Sequence, residues 1–152
     1  MVDEDWGRIV PVFASAFGLL APYKSFVPEE RQAAIARQME RTRAGDYGPL
    51  IETACVVAEE EDMRGALICA EWEKAPHLTW VGVRHDQRRK GYGTCMFHQA
   101  IAALAPQWPS LTSAVYADHT ASLIWHWRNS RSLKCTACFE KCSTFAGHTK
   151  EC

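Results

Sequence analysis

The 152-residue sequence lacks the features that would place it at once in several large classes of protein. Its formal net charge of −1 at pH 7 provides no general field for a polyanion, so nucleic acid is not an expected partner. No apolar run approaches the roughly 20 residues that a membrane-spanning helix requires. The stretch MVDED at the start lacks the cationic residues and apolar core of a signal peptide. We therefore expect a cytoplasmic protein that acts without a nucleic acid or a membrane.

A disulfide framework is also missing. The composition, 47% hydrophobic and 23% charged, is that of an ordinary globular domain with a real core. The cysteines number seven, and the four beyond position 130 are not spaced as a framework, which favours free thiols in a reducing compartment. The chain divides into a domain, 1–133, and a cysteine-rich tail of atypical composition, 134–152.

The tail leaves three interpretations open. Cys135 and Cys138, with Cys142 and either His148 or Cys152, include the ligand types that zinc prefers. The second CxxC pair of a common zinc site is missing, so we assign no metal ligand. The alternatives are an irregular tail with free thiols and an aberrant end, from truncation or a changed reading frame.

Apolar spacing, together with turn residues, predicts an α/β order of elements. The expected helices are 6–20, 28–43, 92–104 and 121–128, and the expected strands are 53–58, 66–72, 78–83 and 112–117. The acidic stretch 59–65 should join the first two strands as an antiparallel hairpin. The last two strands, with the helix between them, form a βαβ unit, whose strands should be parallel.

The segment between strand 78–83 and helix 92–104 carries the clearest chemical signal. Arg84, Arg88, Arg89 and Lys90 make it basic, and two glycines stand where the helix should begin. The first N–H groups of a helix have no internal partner, and the helix dipole makes that end partly positive. Glycines let a ligand reach the backbone. The combination is suited to a phosphate or a diphosphate.

The sequence Arg88-x-x-Gly91-x-Gly93, after a strand and opening a helix, resembles the pyrophosphate loop of the GNAT superfamily of acyl-CoA N-acyltransferases. The resemblance implies a central mixed β-sheet with flanking helices and the use of acetyl-CoA or a related acyl-CoA. It implies acyl transfer to a primary amine, on a small molecule or a peptide, by direct attack, and leaves a homodimer open. Two departures from the family are the missing strand before the first helix and Ser130-Arg131 in place of Gly-Phe.

The resemblance also implies roles for individual residues. A backbone N–H near Val81 or Val83 would polarise the thioester carbonyl, and His119 would take the place of an asparagine that contacts CoA. The remaining candidate CoA-binding residues lie in the loop and the first turn of the helix: Arg88, Arg89, Lys90, Gly91, Tyr92, Gly93 and Thr94. Lys90 is as well explained by ordinary surface charge.

Proton transfer is the least defined step. If Ser122 is aligned with a small residue that the family has in this helix, His126 takes the position of the tyrosine that protonates the departing sulfur. Imidazole can serve as an acid near neutral pH. A packing role for His126 is equally compatible with its tryptophan neighbours, and Tyr116 is the second candidate for the acid. Strand 78–83 has no carboxylate to act as a base, so Glu71 and Glu73, at the end of the neighbouring strand, are the nearest candidates.

Two other functions remain open. A dinucleotide-binding βαβ unit would also place glycines before a helix, and Asp118 stands where a ribose-binding acid belongs. Against it, the third glycine of that motif is Met96 here. The other alternative is a GNAT-like module that binds CoA without catalysis.

Overall fold

The computed structural model describes residues 4–115 and 119–129, and the backbone alone of 134–139 and 143–144. Its helices are α1 (Asp5–Phe17), α2 (Pro28–Arg43), α3 (Tyr92–Leu104) and α4 (Thr120–Asn129). Its strands are β1 (Val56–Glu59), β2 (Met63–Trp72), β3 (Ala75–Val83), β4 (Ser110–Ala114), β5 (Lys134–Phe139) and β6 (Ser143–Thr144). The described chain opens on α1, with no strand before it. Among the described helices, none is both long and apolar enough to cross a membrane.

The strands form one mixed sheet in the order in which they occur along the chain. Neighbouring strands from β1 to β3 run antiparallel, whereas β3 and β4 run parallel with α3 as the connection between them. The backbone of β5 continues the sheet parallel to β4, and β6 turns back against it. The α/β class with a mixed sheet and the parallel βαβ unit are therefore confirmed.

The sheet is packed on both faces. One core cluster joins α1 and α2 to β2, and a second joins α3 to β2, β3 and β4. Strand β2, which contributes to both clusters, accordingly has six consecutive buried residues, Gly65 to Ala70. Phe13 of α1 lies close to β3, because a Cβ at Gly82 would come within 2.6 Å of its ring. The sheet thus separates an α1–α2 layer from the α3 layer.

Helix boundaries follow local signals closely. Helix α2 has the predicted bounds, with Pro28 in its first turn, Glu29 and Glu30 at its positive end and Arg41 and Arg43 in its last turn. Helix α3 also has the predicted bounds. Helix α1 runs through Pro11 but ends at Phe17, three residues before the predicted limit.

The strands differ more from prediction. The segment Glu52–Ala54 forms a 3₁₀ turn, so β1 begins later than expected. The predicted strands 66–72 and 78–83 leave a gap of five residues, but the structure joins them by a tight hairpin, in which Glu73 and Lys74 have φ values of 50° and 62°. Strand β4 is Ser110–Ala114 rather than 112–117. The sequence predicted no strand beyond residue 130, yet β5 and β6 lie there. The free thiols of the tail and the domain boundary at 133 stay predictions, since the side chains of the tail lie outside the described residues.

Candidate active site

Strands β3 and β4 pair over only two residues before they part. Within the described chain, the pairing is confined to His77 with Thr112 and Leu78 with Ser113. The register between β2 and β3 shifts at the same level, where Thr79 has no opposite residue on β2. Such a bulge bends a strand and increases its twist. Beyond the bulge, the rest of β3 therefore faces an opening on its β4 side.

The backbone of this part of β3 presents donors to the opening. Arg84 donates its N–H to the carbonyl of Arg64 at 2.9 Å, which makes these two residues a hydrogen-bonded antiparallel pair. Because such pairs alternate along a ladder, Gly82 bonds back to β2 while Val81 and Val83 direct their N–H groups away from it. The geometry is the one that the predicted carbonyl-polarising role requires.

The start of α3 lies beside the same end of β3. Gly91 caps the helix in a left-handed conformation, with φ of 93°, and no side chain caps it. The first helical hydrogen bond runs from the N–H of Cys95 to the carbonyl of Gly91 at 2.9 Å. The N–H groups of Tyr92, Gly93 and Thr94 are thus without a helical partner. The loop before them is exposed rather than covered by side chains.

The basic residues of the loop have different partners. Asp86 neutralises Arg84 at a distance of 3.1 Å. The pKa of the Asp86 carboxyl is lowered first by a hydrogen bond from the Gln87 side chain and then by hydrogen bonds from Arg84. Arg88 donates to the carbonyl of Ala16 at the end of α1. Lys90 donates to the side chain of Gln87 at 2.8 Å.

Arg89 differs from these neighbours. Across the part of the chain that the structure describes, its guanidinium makes no hydrogen bond or ion pair, and the residue is exposed. A strongly hydrogen-bonding cation with no internal partner is available to an incoming phosphate. Among the cations of the loop, Arg89 is therefore the one that an anion could reach without displacing a described partner.

The acidic loop between β1 and β2 reaches the first turn of α3. The hydroxyl of Tyr92 donates to the carboxylate of Glu60 at 2.5 Å, and Arg64 lies 3.8 Å from the same carboxylate. The bond to Glu60 is the main cause that raises the pKa of Tyr92, so this phenol stays protonated as a donor. The sequence predicts only a hairpin connection here, because nothing local shows a contact over 32 positions.

Helix α4 closes the other side of the α3 N-terminus through Trp125. Its ring meets Phe97 edge to face at 5.2 Å between centroids. A Cβ built at Gly93 would lie 3.5 Å from the indole nitrogen of Trp125 and 3.6 Å from Val83. The sequence predicted a helix here but did not single out Trp125 for the site.

His126 is an internal residue. Only 6% of it is exposed, and its Nε2 lies 2.9 Å from the Ser113 hydroxyl, while Nδ1 lies 2.8 Å from the Ser122 carbonyl. Since a carbonyl can only accept, Nδ1 carries the proton and Nε2 accepts from Ser113. Burial lowers the pKa of the ring, so it is neutral near pH 7. Both nitrogens are therefore engaged inside the fold.

The other predicted groups are not all brought to the opening. Glu71 is paired with Pro76, five residues before Val81, so it lies roughly 17 Å along the sheet from that residue. The structure therefore does not bring Glu71 to the thioester end of the site. His119 lies immediately before α4, where its carbonyl accepts the N–H of Leu123. Tyr116 lies outside the described residues.

No protein-family model matches the chain, and no curated protein is significantly similar to it in sequence. Solved structures do resemble it. PH1933 from Pyrococcus horikoshii OT3 has a TM-score of 0.67 at 11% identity, with 84% of this chain and 81% of that chain covered. The PaiA N-acetyltransferase of Thermoplasma acidophilum, solved with coenzyme A, has a TM-score of 0.66 at 11% identity, with 85% and 84% covered.

A ribosomal-protein-alanine N-acetyltransferase from Brucella melitensis biovar Abortus 2308 is similar with a TM-score of 0.56 at 13% identity, and 82% and 84% of the chains are covered. Likeness at such identities concerns the fold and does not carry an activity across. The protein has a GNAT-like fold, so the fold implied by the resemblance at Arg88 to Gly93 is confirmed.

Proposed function

We propose that this protein is an N-acyltransferase that moves an acetyl or related acyl group from CoA to a primary amine by direct attack. The observation that carries the proposal is the adjacency of two sets of backbone donors. One set is the first turn of α3 behind Gly91, and the other is the part of β3 that faces the opening beyond Thr79. Helix amides suit a diphosphate, and strand amides suit a thioester carbonyl.

The residues fit CoA at the diphosphate. A Cβ at Gly91 would meet nothing within 4 Å, so the space over the first turn of α3 is open to a ligand. The N–H groups of 92–94 would donate to the diphosphate oxygens, and Arg89 would supply the countercharge. Arg84 is occupied by carboxylates and is given no part in binding.

At the thioester end, the N–H of Val81 or Val83 would donate to the carbonyl oxygen as it gains negative charge. A preorganised donor of this kind contributes about 3 kcal/mol to the stabilisation of the transition state. The neutral amine attacks the carbonyl carbon and the C–S bond breaks. The nitrogen of the new amide releases its extra proton to solvent, and the thiolate of CoA takes a proton from an acid. We assign this proton to Tyr116 rather than to His126, since both His126 nitrogens have internal partners.

The alternative is a CoA-binding module without catalysis. One observation favours it. Glu71, which the sequence offered as a general base, lies at the far end of β2 and not at the opening. The dinucleotide alternative loses support, because the strands before α3 form an antiparallel meander rather than a run of βαβ units.

Two measurements test the proposal in sequence. Isothermal titration with CoA, acetyl-CoA and NAD should show binding of the first two and none of NAD. Thiol release from acetyl-CoA is then followed with a panel of small amines and peptides, and with Tyr116→Phe beside the wild type. Binding without release across the panel would favour the non-catalytic module, and absence of CoA binding would refute both functions.

A further inference from the structure

The loop before α3 contains a non-glycine residue in an unfavourable backbone conformation. Arg89 has φ of 66°, two positions before Gly91 at 93°. In the left-handed region the Cβ of an L-residue approaches the following carbonyl oxygen, so residues other than glycine, asparagine and aspartate seldom adopt it. Such a conformation persists only where neighbouring contacts impose it. The Arg89 side chain has no hydrogen-bond partner in the described chain, so the constraint must come from either side of it.

On the N-terminal side, the constraint is Arg88. Its guanidinium donates to the carbonyl of Ala16, 72 positions away, in the last turn of α1. The last carbonyls of a helix have no helical partner, and a cation there also meets the negative end of the helix dipole. Next to it, the N–H of His85 donates to the Ser15 hydroxyl at 3.0 Å. The loop is thus attached to the end of α1 at two points.

On the C-terminal side, the constraint is Tyr92, the first residue of α3. Its hydroxyl is bonded to Glu60, which Arg64 also approaches. The segment 89–91 therefore lies between two side chains that are each tied to another element of the fold. Both left-handed residues of the loop fall inside this segment.

We infer that Arg88 is a positioning residue, which holds the loop to α1 so that the amides of 89–94 are already arranged for a diphosphate before it binds. This inference rests on the proposed function and changes the role expected of Arg88 from the motif, which was direct charge pairing with the phosphate. The guanidinium is engaged by Ala16, whereas Arg89 remains available. Preorganisation of this kind raises affinity by removing the cost of ordering the loop on binding.

The test compares Arg88→Met with Arg88→Lys and with the matched variant Arg89→Met. Methionine keeps the apolar stem and removes every donor, while lysine keeps a cation able to reach a carbonyl. Amide hydrogen exchange is measured on the ligand-free proteins. Arg88→Met should speed exchange of the hydrogen-bonded amides that flank 89–94, those of His85, Gln87 and Cys95, roughly tenfold, the effect of one lost hydrogen bond to a charged group. Arg88→Lys should restore most of the protection, and Arg89→Met should leave these rates unchanged.

Ligand binding is the second readout, with CoA and with pantetheine, which lacks the diphosphate. Both methionine variants should bind CoA about tenfold more weakly and pantetheine as the wild type does. Unchanged loop exchange in Arg88→Met would overturn the inference, as would faster exchange spread equally over the core of α1. A wild-type protein that fails to bind CoA would overturn the proposed function instead, while the exchange rates would still decide what Arg88 does.

Discussion

Replacement of Gly91 by valine tests the backbone of the α3 N-terminus apart from the charged side chains around it. Gly91 has φ of 93°, and an added Cβ would have no neighbour within 4 Å. The substitution therefore introduces no steric overlap, and its cost is conformational. A branched residue in the left-handed region should lose about 1–3 kcal/mol of folding free energy.

The fold should survive this loss, since domains of this size are stable by roughly 5–15 kcal/mol and each kcal/mol lowers the melting temperature by about 2–4 °C. Binding should suffer more. Valine relaxes toward negative φ, which turns the amides of the first turn of α3 away from the diphosphate. Loss of one or two charge-assisted hydrogen bonds weakens CoA affinity about tenfold to a hundredfold, as isothermal titration would show.

Gly45→Val is the matched control. Gly45 has φ of 89°, and its added Cβ would meet only the Gly48 carbonyl at 3.9 Å, an ordinary contact. The residue follows α2, in the layer on the other side of the sheet from α3. It should show a similar fall in melting temperature and normal CoA affinity. Equal CoA affinity in folded Gly91→Val and wild type would refute the assignment of α3 as the diphosphate site.

Three further predictions concern stability. Burial lowers the pKa of both His77 and His126, so below about pH 6.5 the unfolded chain binds protons that the native state does not. Urea denaturation should therefore show a smaller free energy of unfolding at pH 5.5 than at pH 7.5. A free energy of unfolding that does not change with pH would contradict this. Ser113→Ala leaves Nε2 of His126 without its donor and should cost about 1–3 kcal/mol in the same assay, whereas a change below the error of the fit would show that the bond is unimportant. Gly93 lies inside α3, and Gly93→Ala adds a methyl at ordinary contact distance from Trp125. The substitution should therefore leave stability unchanged or raise it by up to about 1 kcal/mol. A clear drop in melting temperature would contradict the geometry of that contact.

The elements that the sequence predicted well are those with local causes. The bounds of α2 and α3 follow from a proline, from glycines and from charges within a turn of each end. The hairpin before β3 was missed because Glu73 and Lys74 adopt left-handed conformations that neither residue type signals. The bulge at Thr79 was missed for a related reason, since a register shift depends on the partner strand.

In the site, too, features with a local cause were predicted and those that depend on distant residues were not. Glycine spacing predicted where backbone donors would lie, because the start of a helix is set within a few residues. The role of Arg88 depends on Ala16, 72 positions away, and that of Tyr92 on Glu60, 32 positions away. No pattern along the chain shows such pairs. A motif can therefore predict where the backbone donors of a helix lie and still assign its first arginine to a ligand when, in this fold, the guanidinium is bonded to the end of α1.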